Sequence, residues 1–111
     1  LKERGLEDEV LLVVTGEMGR TPKVNKNGGR DHWGELTPLI LAGGGLKMGQ
    51  VIGRSDKDGG RPAMNPYTPI NLMSTVINHL FDVPQLRLRT DLPREVKETI
   101  EKGDPIRELF S

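Results

Sequence analysis

Glu17, Asp31 and His32 are the side chains whose types and spacing could do chemistry. They share one glycine-rich, non-periodic stretch, LLVVTGEMGRTPKVNKNGGRDHWG, that begins in an apolar run. Carboxylate oxygens and an imidazole nitrogen suit zinc, manganese and similar divalent ions. Glu17 directly follows the apolar run, where the backbone fixes its position. Asp31 and His32 come fourteen and fifteen positions later. That gap is long enough for a loop to fold back and gather all three. Three ligands with an open position is the catalytic pattern for zinc. The spacing matches no short metal motif, so a structural reading competes: Glu17 caps the loop, and the Asp31–His32 pair hydrogen-bonds to it.

Arg20, Lys23, Lys26 and Arg30 lie between these groups. Arg20 is the best placed to hold an oxyanion, three residues from Glu17 and with a planar fork. Lys23 and Lys26 are expected to face solvent, and Asn25 to Gly29 to form a tight turn. Trp33, the single tryptophan, is expected to cover the site rather than stack on a ligand. Thr15 and Thr21 are the nearest hydroxyls, and neither has a nucleophile-elbow context.

The element that must position this stretch is a strand over Val10 to Thr15. A continuous apolar run predicts coverage on both faces, as in a parallel sheet, with the site at the strand's C-terminal end. A long loop over residues 16 to 35 follows, and then a second buried strand over Thr37 to Ala42. Gly43-Gly44-Gly45 stops that strand as a turn. It fails as a nucleotide loop: Met48 breaks the dinucleotide pattern, and the Gly-Lys-Ser/Thr of a P-loop is absent. Gln50 to Arg54 suggests a third, exposed strand, and Asp56 to Gly59 a surface turn rather than a calcium loop. Twelve of the fourteen glycines fall between positions 16 and 60.

Thr68 and Pro69 begin the clearest helix as N-cap and first helical residue. Ile70, Met73, Ile77 and Leu80 recur at helical spacing, widened by Leu72 and Val76, to an end near Phe81. His79 falls on the polar face with Asn71, Thr75 and Asn78 and is expected to be solvated. Asp91 or Thr90 would cap a weaker helix over Arg94 to Lys102, ended by Gly103. Leu1 to Arg4 reads as the end of a helix capped by Gly5. The tail, Asp104 to Ser111, carries a small apolar set of Ile106, Leu109 and Phe110.

The 111 residues are a single-domain length, 34% hydrophobic and 4% aromatic, with negative mean hydropathy. That stock is thin for a core and predicts a loop-rich segment leaning on further sequence. The opening LKERGLEDEV, without Met, reads as an internal start. Sixteen basic residues balance sixteen acidic ones, which argues against nucleic acid as a partner. The absence of cysteine excludes disulfides and thiolate metal sites. No segment reaches the roughly 18 apolar residues of a membrane span, and none reads as a signal peptide.

Gly-Glu-x-Gly-Arg-Thr-Pro at 16–22 and Gly-Arg-Asp-His-Trp at 29–33 are long, specific motifs. They resemble the C-terminal core of the bacterial family called domain of unknown function 1501. The likeness runs from Leu1 to about Leu80, and Pro105 to Phe110 resembles the family's closing motif. Residues 84–101 depart from the pattern, within a variable tail over 82–111.

That family is similar in turn to the alkaline phosphatase and sulfatase superfamily. The resemblance implies a partial domain over 1–111, the C-terminal portion of an α/β three-layer sandwich with a mostly parallel central sheet. It also implies an exported parent that hydrolyses phosphate or sulfate esters with a divalent metal (zinc, calcium or manganese). In the superfamily a buried strand ends in Thr-Ser-Asp-His-Gly, whose Asp and His bind metal. Here Glu17 replaces that Asp, and Met18 stands where the His would be. A thioether is a poor ligand for a hard ion. His32 and Thr37-Pro38-Leu39-Ile40 fit the order of the later His and strand. The resemblance gives Glu17 and His32 a place in that order; together with the residue chemistry, Glu17, Asp31 and His32 are expected at the metal, and Glu17 and Arg20 at the reacting centre. Nucleophile and first ligands would lie elsewhere in the parent domain, so this segment alone is expected to be inactive. The alternative is a non-catalytic exported binding or surface-associated protein on the same fold.

Overall fold

The computed structural model describes residues 1–110, so Ser111 at the end of the expected tail lies outside the described residues. The chain is mixed α/β and divides into two compact units, one over Leu1–Pro66 and one from Tyr67 onward.

The first unit opens with a 3-10 turn over Lys2–Arg4, closed by Gly5 in the left-handed conformation. Strand β1 spans Leu11–Thr15, β2 Gly19–Arg20, β3 His32–Trp33 and β4 Leu39–Gly43. β1 pairs with β4, and β2 with β3, both antiparallel. The expected parallel arrangement is therefore absent among the described residues. A parallel pair needs a crossover, usually a helix, and residues 16–38 hold none. Double coverage of β1 is not seen either. The register sets Leu12 against Ala42 and Val14 against Ile40, which groups these four on one face. On that face Leu12 and Val14 are each 49% exposed and Ile40 is 63% exposed.

The expected strand over Gln50 to Arg54 does not form. Gly49 and Gly53, at φ 79° and 78°, turn the backbone out of extended geometry, leaving one isolated bridge between Ser55 and Pro62. The glycine turn after β4 is present. Gly43, at φ 83°, needs its missing Cβ, which would stand 2.6 Å from the Val10 carbonyl oxygen. Asp56 to Gly59 forms the expected turn, with the Gly59 N–H donating to the Asp56 carbonyl at 3.1 Å.

In the second unit, α1 spans Pro69–Leu80, α2 Val83–Leu86 and α3 Arg94–Lys102, and a 3-10 turn covers Arg107–Leu109. Thr68 and Pro69 start α1 as read, and the Asn71 Oδ1 accepts from the Thr68 N–H at 2.8 Å. Asp82 caps α2, a helix the periodicity did not reveal. Pro93, not Asp91 or Thr90, precedes α3. Asp91 instead takes both Arg89 hydrogen bonds, at 2.8 and 2.5 Å, and that pairing lowers its pKa to about 2.

The buried face of α1 is not the apolar stripe. Met73 is 51% exposed and Leu80 61%, while Ser74 is buried and Thr75 is wholly so. The polar side receives the chain after α3. Asn71 Nδ2 donates to the Asp104 carbonyl at 2.8 Å, and Ser74 Oγ to the Gly103 carbonyl at 3.1 Å. The Ile106 N–H donates to Thr75 Oγ1 at 2.9 Å. The face expected to be solvated is therefore the packed one, and His79 is half-buried. Ile106 and Leu109 join Val83 and Ile100 as the buried apolar residues, whereas Phe110 stays exposed.

Thr75→Val keeps the shape but orphans the buried Ile106 N–H. It is expected to destabilise the chain by about 1–3 kcal/mol in chemical denaturation.

The Tyr67 hydroxyl donates to the Glu108 carboxylate at 2.5 Å. That bond raises the Tyr67 pKa above its ordinary 10.0 and lowers that of Glu108 below its ordinary 4.5. Its stabilisation is complete between those two values. It fades as pH falls through the lowered carboxyl pKa and as pH rises through the raised phenol pKa. Tyr67→Phe should therefore lose stability at neutral pH, with the gap to wild type narrowing at both extremes of a pH-dependent melting series.

Candidate functional site

The loop between β1 and β4 folds back as its length predicts, and the β2–β3 ladder closes it. Gly19 faces Trp33 and Arg20 faces His32. Gly19 is buried because its backbone lies against the next segment. A Cβ there would stand 1.7 Å from the Leu36 carbonyl oxygen and 3.0 Å from that of Trp33. No side chain fits that gap, so the close approach of two backbones selects glycine.

Beyond the ladder, side chains knit the loop. The Thr21 N–H donates to the Asp31 carbonyl at 3.0 Å, and the Asp31 N–H returns to Thr21 Oγ1 at 3.1 Å. Thr21 is thus a structural hydroxyl. Arg30 Nη1 donates to the Thr21 and Pro22 carbonyls at 2.8 and 2.6 Å, which ties it to the loop. The turn expected at Asn25 to Gly29 forms around one side chain. Asn25 Oδ1 accepts from the N–H groups of Asn27 and Gly29, each at 3.0 Å, and its Nδ2 donates to Asp31 Oδ1 at 3.2 Å.

Trp33 Nε1 donates to the Gly60 carbonyl at 2.6 Å. Asp56 Oδ1 in turn accepts from the Gly60 N–H at 3.0 Å, so the indole pins the 55–62 turn to the ladder. Trp33 is half-buried. Its dependence on Gly60 has no signal in the sequence. Asn25-Lys26-Asn27-Gly28-Gly29 was a readable turn signal, but the reach of Asn25 to Asp31 was not.

Glu17 sits in the exposed bend between β1 and β2. Asp31 and His32 are also exposed. As register partners His32 and Arg20 share a face, while the Asp31 carboxylate accepts from Asn25. Among the described residues no three His, Asp or Glu side chains gather as a metal-binding group. What the loop does bring together is Arg20 and His32, directly opposed. Lys23 and Lys26 are exposed, as expected. Four cations and two carboxylates lie over residues 17–31, so the loop is locally basic on a chain of zero net charge.

A mixed α/β chain with a glycine-locked, basic, carboxylate-bearing loop after its first strand is the class defined here. The family model described as Protein of unknown function (DUF1501) matches residues 1–110, and the chain belongs to that family. No curated protein matches the chain, and no solved structure does. Among the described residues no helix is long and apolar enough to cross a membrane.

Gly19→Ala forces Leu36 and the ladder apart. The expected cost is at least the roughly 1–3 kcal/mol typical of overpacking. The emission of Trp33, the single tryptophan, reports the local change and should shift toward that of a solvated indole.

Proposed function

We propose that this chain supplies part of a metal-dependent site that hydrolyses phosphate or sulfate esters. Glu17, Asp31 and His32 are its metal groups, and Arg20 is its oxyanion binder. The observation that supports this reading is the register of β2 and β3, which opposes Arg20 to His32 on one face. Opposed residues of an antiparallel pair stand about 5 Å apart at Cβ. A guanidinium carried by the residue opposite a ligand imidazole can grip two non-bridging oxygens of an ester held there. A divalent ion, when bound, supplies charge stabilisation and an activated nucleophile. This chain does not gather a full ligand set by itself. The remaining ligands and the nucleophile would then come from other parts of a longer parent of alkaline-phosphatase-like fold.

A second reading is a non-catalytic binding protein on the same fold. Met18 favours it, because it is 37% exposed at a position where the related phosphatases keep a ligand.

Metal analysis and ester hydrolysis by the full-length parent separate the two. His32→Ala should lose bound metal, and Arg20→Ala should raise KM about tenfold, the scale of one charged hydrogen bond. Equal metal in wild type and His32→Ala removes His32 from the site. Metal binding without hydrolysis of either ester class leaves the binding protein.

A further inference from the structure

We infer that Asn27 is a self-modification site, where attack by the Gly28 backbone nitrogen converts the side-chain amide to an acid. The fold selects this residue from five asparagines. Asn65 precedes Pro66, which has no N–H. Asn71 and Asn78 lie within α1, where the helix holds the following amides, and both side chains donate to carbonyls. Asn25 is held by three hydrogen bonds through its side chain. Asn27 is exposed, and among the described residues its side chain makes no hydrogen bond. Gly28 has no Cβ to shield its nitrogen, and apart from its chain neighbours no atom stands within 4 Å of where one would be. The Gly28 N–H donates to the Asn25 carbonyl at 3.0 Å, so the reaction proceeds from openings of this one exposed turn.

The Gly28 nitrogen gives its proton to solvent and bonds to Asn27 Cγ. The Cγ–Nδ2 bond breaks, and ammonia leaves with a proton from solvent. Water then opens the five-membered imide at either carbonyl, giving aspartate or isoaspartate at position 27. The net change is water in and ammonia out, with no redox step. Either product adds one negative charge to a chain of zero net charge.

Isoaspartate also adds a methylene to the main chain between positions 27 and 28. The Asn25 Oδ1 bridges the N–H groups of Asn27 and Gly29, and a longer backbone between them breaks that bridge. Asn25 is then released, and with it the bond to Asp31 Oδ1. Formation of isoaspartate at position 27 therefore frees the Asp31 carboxylate. This inference holds whether or not Asp31 ligates a metal.

The test incubates the folded chain at mildly alkaline pH, beside the chain in denaturant and an Asn27→Gln variant. Glutamate-specific cleavage then releases the peptide Met18–Glu35 for tandem mass spectrometry. The folded wild type should gain an acid at position 27 in two chromatographic forms, with the other four asparagines intact. The Asn27→Gln variant should keep its amide. The Asn25 side-chain amide signals in NMR should move only in the isoaspartate fraction. An unchanged amide at position 27 in the folded chain overturns the inference, whatever the unfolded chain does. Equal conversion at Asn25 overturns the selection, and unmoved Asn25 signals overturn the release of Asp31.

Discussion

The bare backbone of Gly19 rests against the carbonyls of Leu36 and Trp33, and the candidate site depends on that contact. It brings the two ends of a long loop within ladder distance. Once Gly19 and Trp33 are paired, Arg20 must face His32, because side chains in a strand alternate strictly. The carboxylate of Asp31, just before β3, accepts from Asn25 instead, while His32 is paired with Arg20.

The loop hardens around this contact through hydrogen bonds rather than apolar burial. Thr21, Asn25 and Arg30 satisfy backbone groups that a loop of this length would otherwise leave to water. Trp33 then ties the ladder to the 55–62 turn through the Gly60 carbonyl. Chemistry-bearing side chains gain fixed positions only because neighbouring polar side chains are used as scaffolding. Arg30 gives its Nη1 to two loop carbonyls.

The second unit applies the same economy. Its 3-10 tail docks on the polar side of α1, where Asn71, Ser74 and Thr75 meet backbone groups of residues 103–106. Buried hydroxyls are tolerated because each is bonded, and Thr75 both donates to the Asn71 carbonyl and accepts from Ile106. Apolar packing is confined to Val83, Ile100, Ile106 and Leu109.

Elements with strong local causes were legible in the sequence. Thr68-Pro69 starts α1, Gly103 ends α3, and the apolar runs at Leu11 and Leu39 are strands, each by backbone chemistry acting within a few residues. The motifs around Glu17 and Asp31–His32 likewise place the chain in its family. Pairing direction, the packed side of α1 and the company of each site residue were not legible. Those depend on partners far along the chain: β4 for β1, residues 103–106 for α1, Leu36 for Gly19. The sequence by itself determined which side chains are available and where the backbone can turn. Only the tertiary structure decided that Arg20 meets His32 while Asp31 meets Asn25, because strand register is a long-range choice and it sets the facing of every side chain at once.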